Sequence, residues 1–248
     1  MPMLVPSGRV CRRGLLAVGM LLFPACARSA TLTSQGRSMP HVALLGDSVF
    51  DNAAYVGGGP DVVQQLRAVL PAGWQASLLA IDGNVIADVP HQLARCSEDA
   101  SHLVVSVGGN DALRASAVLE RTARSVAEAL ALLVEVRDRF QAEYGAMLDT
   151  VQATGRAAAI CTIYDPRYPD PQRRRLTGAA LSLLNDIITR EAFARDLPLI
   201  DLRVLCGEDA DFANPIEPSV EGGRKIAKAV AAFLQARPEQ QGSLVFAR

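Results

Sequence analysis

Residues 42–49 read Val-Ala-Leu-Leu-Gly-Asp-Ser-Val, an apolar run that ends in a glycine and two polar side chains. A short, continuously apolar run is typical of a strand buried on both faces. We therefore predict a strand over Val42–Gly46, with Asp47 and Ser48 in the loop that follows it. Parallel sheets bind their ligands at the carboxyl ends of their strands, so this loop is a candidate site.

Four more short apolar runs follow, and helical patterns separate them. We predict strands over residues 75–81, 103–107, 157–163 and 197–202, and helices over residues 60–70, 86–94, 115–154, 171–195 and 219–236. Strands that alternate with helices in this way predict an α/β fold, a doubly wound, five-stranded parallel sheet with helices on both faces. Residues 39–237 form this single domain, and residues 238–248 are a tail.

Charge is distributed unevenly along the 248 residues. Residues 1–38 carry five arginines and no acid, so the rest of the chain has a net charge of -6 against -1 for the whole. A mildly acidic body without a basic stripe argues against a nucleic acid partner.

The first 38 residues have the features of an export leader. Three arginines between Arg9 and Arg13 precede a short apolar run, residues 14–24, and Ala25-Cys26-Ala27 has the form of a cleavage site. The run is too short for stable membrane insertion. If this segment is an export leader, the protein is periplasmic or secreted. The alternative is that translation starts at Met39, and the protein is then cytoplasmic.

Cysteines give no sign of a metal site. Cys96, Cys161 and Cys206 lie in the body without CxxC or Cys/His spacing. We interpret them as small buried hydrophobic residues.

Three loops at the carboxyl ends of the first three predicted strands carry polar residues and glycines. They read Gly-Asp-Ser-Val-Phe-Asp-Asn (46–52), Asp-Gly-Asn (82–84) and Gly-Gly-Asn-Asp (108–111). A nucleophilic serine needs hydrogen-bond donors where negative charge develops on the substrate. The backbone N–H groups of Ser48 and Gly83 and the side chain of Asn110 are candidates for such an oxyanion hole.

In order and spacing these loops resemble the sequence blocks of the SGNH, or GDSL, hydrolase family. Gly-Asp-Ser-Val at 46–49 is similar to the first block, Gly83 to the second-block glycine and residues 108–111 to the GxND block. The resemblance implies a flavodoxin-like SGNH hydrolase fold, with Ser48 as nucleophile and Asn110 as oxyanion donor. It also implies hydrolysis of small-molecule acyl esters without metal or organic cofactor.

The last block departs from that family. Where the family has Asp-x-x-His, this chain has Asn214-Pro-Ile-Glu217. Glu217 is our candidate base, although an ordinary glutamate with a pKa of ~4.3 is a weak base at neutral pH unless burial raises that value. The alternative is that activity is weak or lost and the domain only binds an acyl or sugar ligand.

None of the three histidines is well placed in the sequence to replace the missing base. His41 and His102 precede strands, where we expect them on the surface, and His91 lies on a helix.

Other polar residues near the predicted edge are candidates for binding substrate: Asp47, Asp51, Asn84 and Asp165. Asp47 has a structural alternative, in which it holds its own loop through backbone N–H groups. The sequence leaves the substrate's identity and the oligomeric state open.

Overall fold

The first predicted strand lies inside a parallel sheet in a computed structural model that describes residues 39–236 and 245–246. The predicted leader and most of the predicted tail lie outside these residues. The strands of the sheet are β1 (His41–Gly46), β2 (Gln75–Leu78), β3 (His102–Ser106), β4 (Ala157–Cys161), β5 (Leu199–Ile200) and β6 (Val245–Phe246). The sheet order is β2-β1-β3-β4-β5-β6, and every neighbouring pair is parallel. The predicted α/β class and parallel sheet are confirmed.

The number of strands corrects the prediction of five. In the described residues a sixth strand, β6, pairs with β5 through Leu199–Val245 and Ile200–Phe246. Two apolar residues are too few to show a strand pattern, which needs at least four residues to be recognised. Only the pairing with β5 identifies this part of the tail as a strand.

Seven α-helices connect the strands within the described part of the chain. They are α1 (Val62–Val69), α2 (Val89–Leu93), α3 (Gly109–Ala115), α4 (Val126–Ala153), α5 (Pro171–Ala194), α6 (Leu202–Leu205) and α7 (Val220–Gln235). Short 3-10 helices add Ala53–Tyr55, Ile86–Asp88, Ser116–Glu120 and Asp209–Asp211. Among the helices described, none is long and apolar enough to cross a membrane.

The single helix predicted over residues 115–154 is wrong in its first part. Residues 109–120 form α3 and a 3-10 helix, and α4 begins afresh at Val126. The break lies at Ser125, whose side chain accepts a hydrogen bond from the Glu128 N–H. A Ser-x-x-Glu sequence is typical of the first turn of a helix, so the sequence itself contains a signal for a helix that begins after Ser125.

Both faces of the sheet are buried, because side chains alternate along each strand. In β1, Val42 and Leu44 face the side covered by α1 and α7, and Ala43 and Leu45 face the side covered by α2, α4 and α5. All four are completely buried. The two cores support the sheet from opposite sides and leave its carboxyl edge free for a site.

Gly46 ends β1 where two strands approach too closely for a side chain. Its φ is +127°, and a Cβ there would lie 1.7 Å from the Ser106 carbonyl oxygen at the end of β3. The next N–H, that of Asp47, donates to the same oxygen at 3.1 Å. Gly46 therefore sets where the chain turns toward Ser48.

We expect Gly46→Ala to lower the free energy of unfolding by about 3 kcal/mol or more, because positive φ and overpacking both oppose a Cβ there. The control is Gly57→Ala, where φ is +58° but nothing lies within 4 Å of the added Cβ. That variant should lose only about 1 kcal/mol. Urea unfolding of both variants measures the difference, and equal losses would contradict the steric argument.

Candidate active site

Ser48 lies in a tight turn at the carboxyl end of β1. The N–H groups of Phe50 and Asp51 donate to the Asp47 carbonyl oxygen, both at 3.1 Å, and close the turn. The Phe50 ring is completely buried in the core and anchors the turn from below. The turn thus holds the Ser48 hydroxyl at the sheet edge, and Ser48 is only 7% exposed.

Glu217 lies in the loop before α7, and several hydrogen bonds set the course of that loop. The Asn214 side-chain oxygen accepts from the N–H groups of Ile216 and Glu217, at 2.9 and 3.0 Å. The Tyr164 hydroxyl donates to the Ile216 carbonyl at 2.6 Å. The Asn52 amide donates to the Pro218 carbonyl at 3.1 Å. Asn214 therefore holds the backbone of the loop, and the Glu217 carboxylate is left to face Ser48.

Ser48 and Glu217 are in direct contact. The Ser48 hydroxyl donates to Glu217 Oε1 at 3.1 Å, and Glu217 is 5% exposed. The other carboxylate oxygen, Oε2, has no hydrogen-bond partner among the described residues. Burial raises the pKa of Glu217 to about 7, opposed by the Ser48 hydrogen bond and reinforced by the negative charge of Asp82. A carboxylate with this pKa accepts protons far better at neutral pH than an ordinary glutamate.

Asp47 is buried beside this pair. One carboxyl oxygen accepts the Val49 N–H at 3.1 Å, and the residue is 3% exposed. Desolvation raises the pKa of Asp47 to about 8, and repulsion from Glu217 adds to the effect. Burial therefore favours the protonated, neutral form of Asp47 at neutral pH, and Glu217 is the carboxylate that contacts Ser48.

The proposed oxyanion donors come from three loops that hydrogen bonds connect. Asn110, in the first turn of α3, donates one side-chain N–H to the Asn84 carbonyl at 2.9 Å. Its second N–H has no acceptor in the described structure, and neither do the backbone N–H groups of Ser48 and Gly83. Gly83 is exposed and adopts a φ of +80°, which favours glycine.

A cavity of about 600 Å³ opens at this edge of the sheet. Four of the predicted site residues line it: Asp47, Ser48, Asn110 and Glu217. Apolar residues of α3, of the 3-10 helix that follows it, of α4, of α5 and of the loops at the sheet edge line the rest of it, together with several polar residues.

The other four predicted site residues do not line the cavity. Gly83 and Asn84 lie in the loop after β2, and the Asn84 side chain accepts from Gln92 at 2.8 Å. Asp51 accepts the Asp82 N–H at 3.0 Å and so connects two loops. Asp165 is exposed beside Gly178 of α5, away from Ser48.

Two buried side chains that sequence reasoning missed support the site. Gln92 of α2 bonds both the N–H and the carbonyl of Gly46, each at 2.7 Å, and holds Asn84 as well. Asn52 accepts the Val62 N–H at 3.0 Å and donates to the loop of Glu217. Their contacts lie 8 to 166 residues away along the chain, so no local pattern pointed to them.

None of the three histidines lines the cavity or bonds Ser48. His41 was expected on the surface, but it is 5% exposed because its ring nitrogens contact Asp99 and Ser77, at 3.1 and 2.6 Å. His102 is half-buried against Trp74, with ring centroids 5.1 Å apart, and His91 is exposed on α2. His41 and His102 both lie at the amino ends of their strands, across the sheet from the site.

The cysteines of the body are free thiols. Cys161 and Cys206 are buried, as expected, and Cys96 is half-buried. No group of three or more histidine, cysteine or acidic side chains in the described residues is arranged to hold a metal ion.

The fold and site define a class of protein: a flavodoxin-like α/β domain with a serine at the carboxyl edge of the first strand of a parallel sheet. A model of the GDSL-like lipase/acylhydrolase family matches residues 44–225, and the chain belongs to this family. No curated protein sequence matches the chain significantly.

Solved structures show the same fold at low sequence identity. An extracellular lipase from Streptomyces rimosus is 17% identical with a TM-score of 0.54, over 79% of this chain and 100% of its own. A phospholipase A1 from Streptomyces albidoflavus is 16% identical with a TM-score of 0.56, over 80% and 100%. The esterase EstA from a Pseudoalteromonas species is 16% identical with a TM-score of 0.54, over 79% and 99%.

The raised pKa of Asp47 has a consequence for stability. Between about pH 4 and pH 8 the unfolded chain loses the Asp47 proton while the folded protein keeps it, so the free energy of unfolding falls as pH rises. We expect Asp47→Asn, whose side-chain oxygen still accepts the Val49 N–H, to flatten this fall. Urea unfolding from pH 5 to pH 9 measures it, and unchanged slopes would show that Asp47 is ionised in the folded protein.

Proposed function

We propose that the protein is a serine esterase in which Ser48 is the nucleophile and Glu217 is the base. The observation that carries the proposal is the 3.1 Å hydrogen bond from the Ser48 hydroxyl to a buried glutamate. Membership of the GDSL-like lipase/acylhydrolase family supports ester hydrolysis as the reaction class.

Acylation begins when Glu217, in its ionised form, accepts the Ser48 proton as the Ser48 oxygen bonds to the ester carbonyl carbon. The carbonyl oxygen gains negative charge, which the free N–H groups of Ser48, Gly83 and Asn110 stabilise in this proposal. The bond to the alcohol oxygen then breaks, and protonated Glu217 returns the proton to the leaving alkoxide. An acyl group remains on Ser48.

Deacylation repeats these steps with water. Glu217 accepts a proton from a water molecule whose oxygen attacks the acyl carbon, and the bond to Ser48 breaks. The proton then returns from Glu217 to Ser48, and a carboxylic acid leaves. Because Glu217 serves as base and then as acid in each half of the cycle, a pKa near the working pH suits both tasks.

Asn214 acts differently from the aspartate that it replaces. It bonds two backbone N–H groups in the loop and holds Glu217 in place, instead of orienting an imidazole ring. A glutamate carboxylate has no tautomers, so it does not need the partner that fixes a histidine's protonated nitrogen.

We expect Ser48→Ala to lower kcat for p-nitrophenyl butyrate by at least about 10³-fold, because it removes the nucleophile. Glu217→Gln should lower kcat by about 10²- to 10⁴-fold, because it removes proton transfer but keeps the shape of the site. The control is Glu221→Gln, four residues on, whose carboxylate pairs with Arg224 and does not line the cavity. Full activity in Ser48→Ala would overturn the proposal.

Fluorophosphonate labelling separates this proposal from the alternative of a binding domain. Prompt labelling of Ser48 that is lost in Glu217→Gln would contradict a binding domain, and labelling that Glu217→Gln leaves unchanged would exclude Glu217 as the base. No labelling of Ser48 and no turnover of any ester would instead favour the binding domain.

The pH profile tests the role of Glu217 directly. Its raised pKa means that the base is ionised only above about pH 7, so kcat/KM should fall about tenfold per pH unit below that value. The residual activity of Glu217→Gln should not show this limb. A wild-type profile that is flat from pH 5 to pH 8 would contradict Glu217 as the base.

A further inference from the structure

Two long helices extend past the carboxyl edge of the sheet, and the cavity lies between the extensions. Helix α4 has 28 residues, about 42 Å at helical rise, and the adjacent strands β3 and β4 have five residues each, about 17 Å. Both α4 and α5 run from the carboxyl edge back to the amino edge, because each one connects parallel strands. The excess length must project beyond the sheet.

Two contacts mark the level of the sheet edge on these helices. Phe140 of α4 packs on Gly108, directly after β3, where an added Cβ would lie 3.0 Å from the ring. Asn185 of α5 bonds the N–H and carbonyl of Ile163, directly after β4, both at 2.8 Å. Residues 126–139 of α4 and 171–184 of α5 therefore lie beyond the edge, on the side of Ser48.

These projecting segments present apolar side chains to the cavity. Leu133 and Val136 line it from α4, and Leu181 and Leu184 line it from α5. No residue of α4 before Phe140 is buried. Val136 packs partly against the core, and Leu133 lines the cavity without belonging to that core cluster. Leu176 lines the cavity but is 53% exposed, which places it toward the mouth.

Ser48, Asn110 and Glu217 line the cavity at the sheet edge, and leucines and valines of α4 and α5 line it beyond the edge. The charged residues that also line it away from the edge, Glu120, Asp170 and Arg173, are exposed. An acetyl group would leave most of the volume of about 600 Å³ unfilled. An eight-carbon chain, at roughly the 30 Å³ that a water molecule occupies for each carbon, takes up about 240 Å³ and so fits inside the cavity with room to spare.

We propose that the cavity is an acyl-chain site, and that this protein prefers esters of unbranched fatty acids of about six carbons or more over acetyl esters. This inference rests on the proposed function, because Ser48 must attack the carbonyl carbon to which the chain is attached. The selectivity comes from the projecting halves of α4 and α5 and does not depend on which group is the base.

The first test is a series of p-nitrophenyl esters from acetate to dodecanoate. Each methylene buried should raise kcat/KM roughly fourfold between butyrate and octanoate, from about 0.8 kcal/mol per methylene. A parallel series of acetates of longer alcohols should stay flat. A preference for acetate, or a chain-length preference only in the alcohol, would overturn the inference.

Ala180 and Ala179 provide a matched pair of variants on α5. Ala180 lines the cavity, and Ala179 is exposed and does not line it. Ala180→Phe should lower kcat/KM for octanoate relative to butyrate by about tenfold or more, and Ala179→Phe should leave the ratio unchanged. Ala117→Phe is a second variant, because Ala117 lines the cavity from an exposed position where a larger side chain does not threaten folding. Equal effects at positions 179 and 180, with no change at position 117, would contradict the site.

Calorimetric binding to Ser48→Ala separates this inference from the proposed function. Octanamide should bind this inactive variant more tightly than butanamide, and adding Ala180→Phe should abolish the difference. If octanamide binds in this way but the wild-type protein hydrolyses no ester, the proposed function fails and the acyl-chain site stands. If Ser48-dependent hydrolysis occurs but neither chain length nor Ala180→Phe matters, the acyl-chain site fails and the esterase stands.

Discussion

The hydrogen bond between Ser48 and Glu217 joins two loops that are 169 residues apart in the chain. The acceptor of this bond is a carboxylate that is buried without a cation, and such a carboxylate favours its protonated form. The contrast is Asp211, six residues earlier, which is completely buried but pairs with Lys225 at 2.7 Å. Glu217 has no ion-pair partner in the described residues, and Asp82 is a further negative charge near it. Burial disfavours ionisation of this carboxylate, raises its pKa to about 7 and so makes it a useful base at neutral pH.

Holding such a group in place requires support from several elements. Asn214 supports the loop from within, Tyr164 after β4 bonds the Ile216 carbonyl, and Asn52 joins the loop to the start of α1. On the other side, Gln92 saturates both backbone groups of Gly46. These bonds matter because a site whose side chains are held by neutral, satisfied partners keeps its geometry without adding charge near Glu217.

Much of the fold follows from local pattern. The apolar run at 42–46, its four counterparts and the intervening helical segments predicted a parallel α/β sheet, and the glycine-rich loops after the first three strands predicted where the polar residues gather. The errors have local causes too. The start of α4 was missed because the apolar residues of α3 and the 3-10 helix continued the helical pattern, although Ser125 and Glu128 signal a new start. The sixth strand was missed because Val245 and Phe246 are too short a run to recognise without a partner strand.

The sequence by itself determined the class of fold, the position of Ser48 at the end of the first strand and the presence of Glu217 where a related block has histidine. These depend on neighbours along the chain, since side-chain periodicity and turn residues act over a few positions. Only the tertiary structure decided that Glu217 reaches Ser48, that burial raises the pKa of Asp47, that Asn214 bonds the backbone of its loop, and that α4 and α5 project past the sheet and line a cavity. Distances, burial and the projection of a helix past a sheet depend on segments that are far apart in the sequence and pack together only in the folded protein. The desolvation that shifts a pKa arises only once those segments are packed.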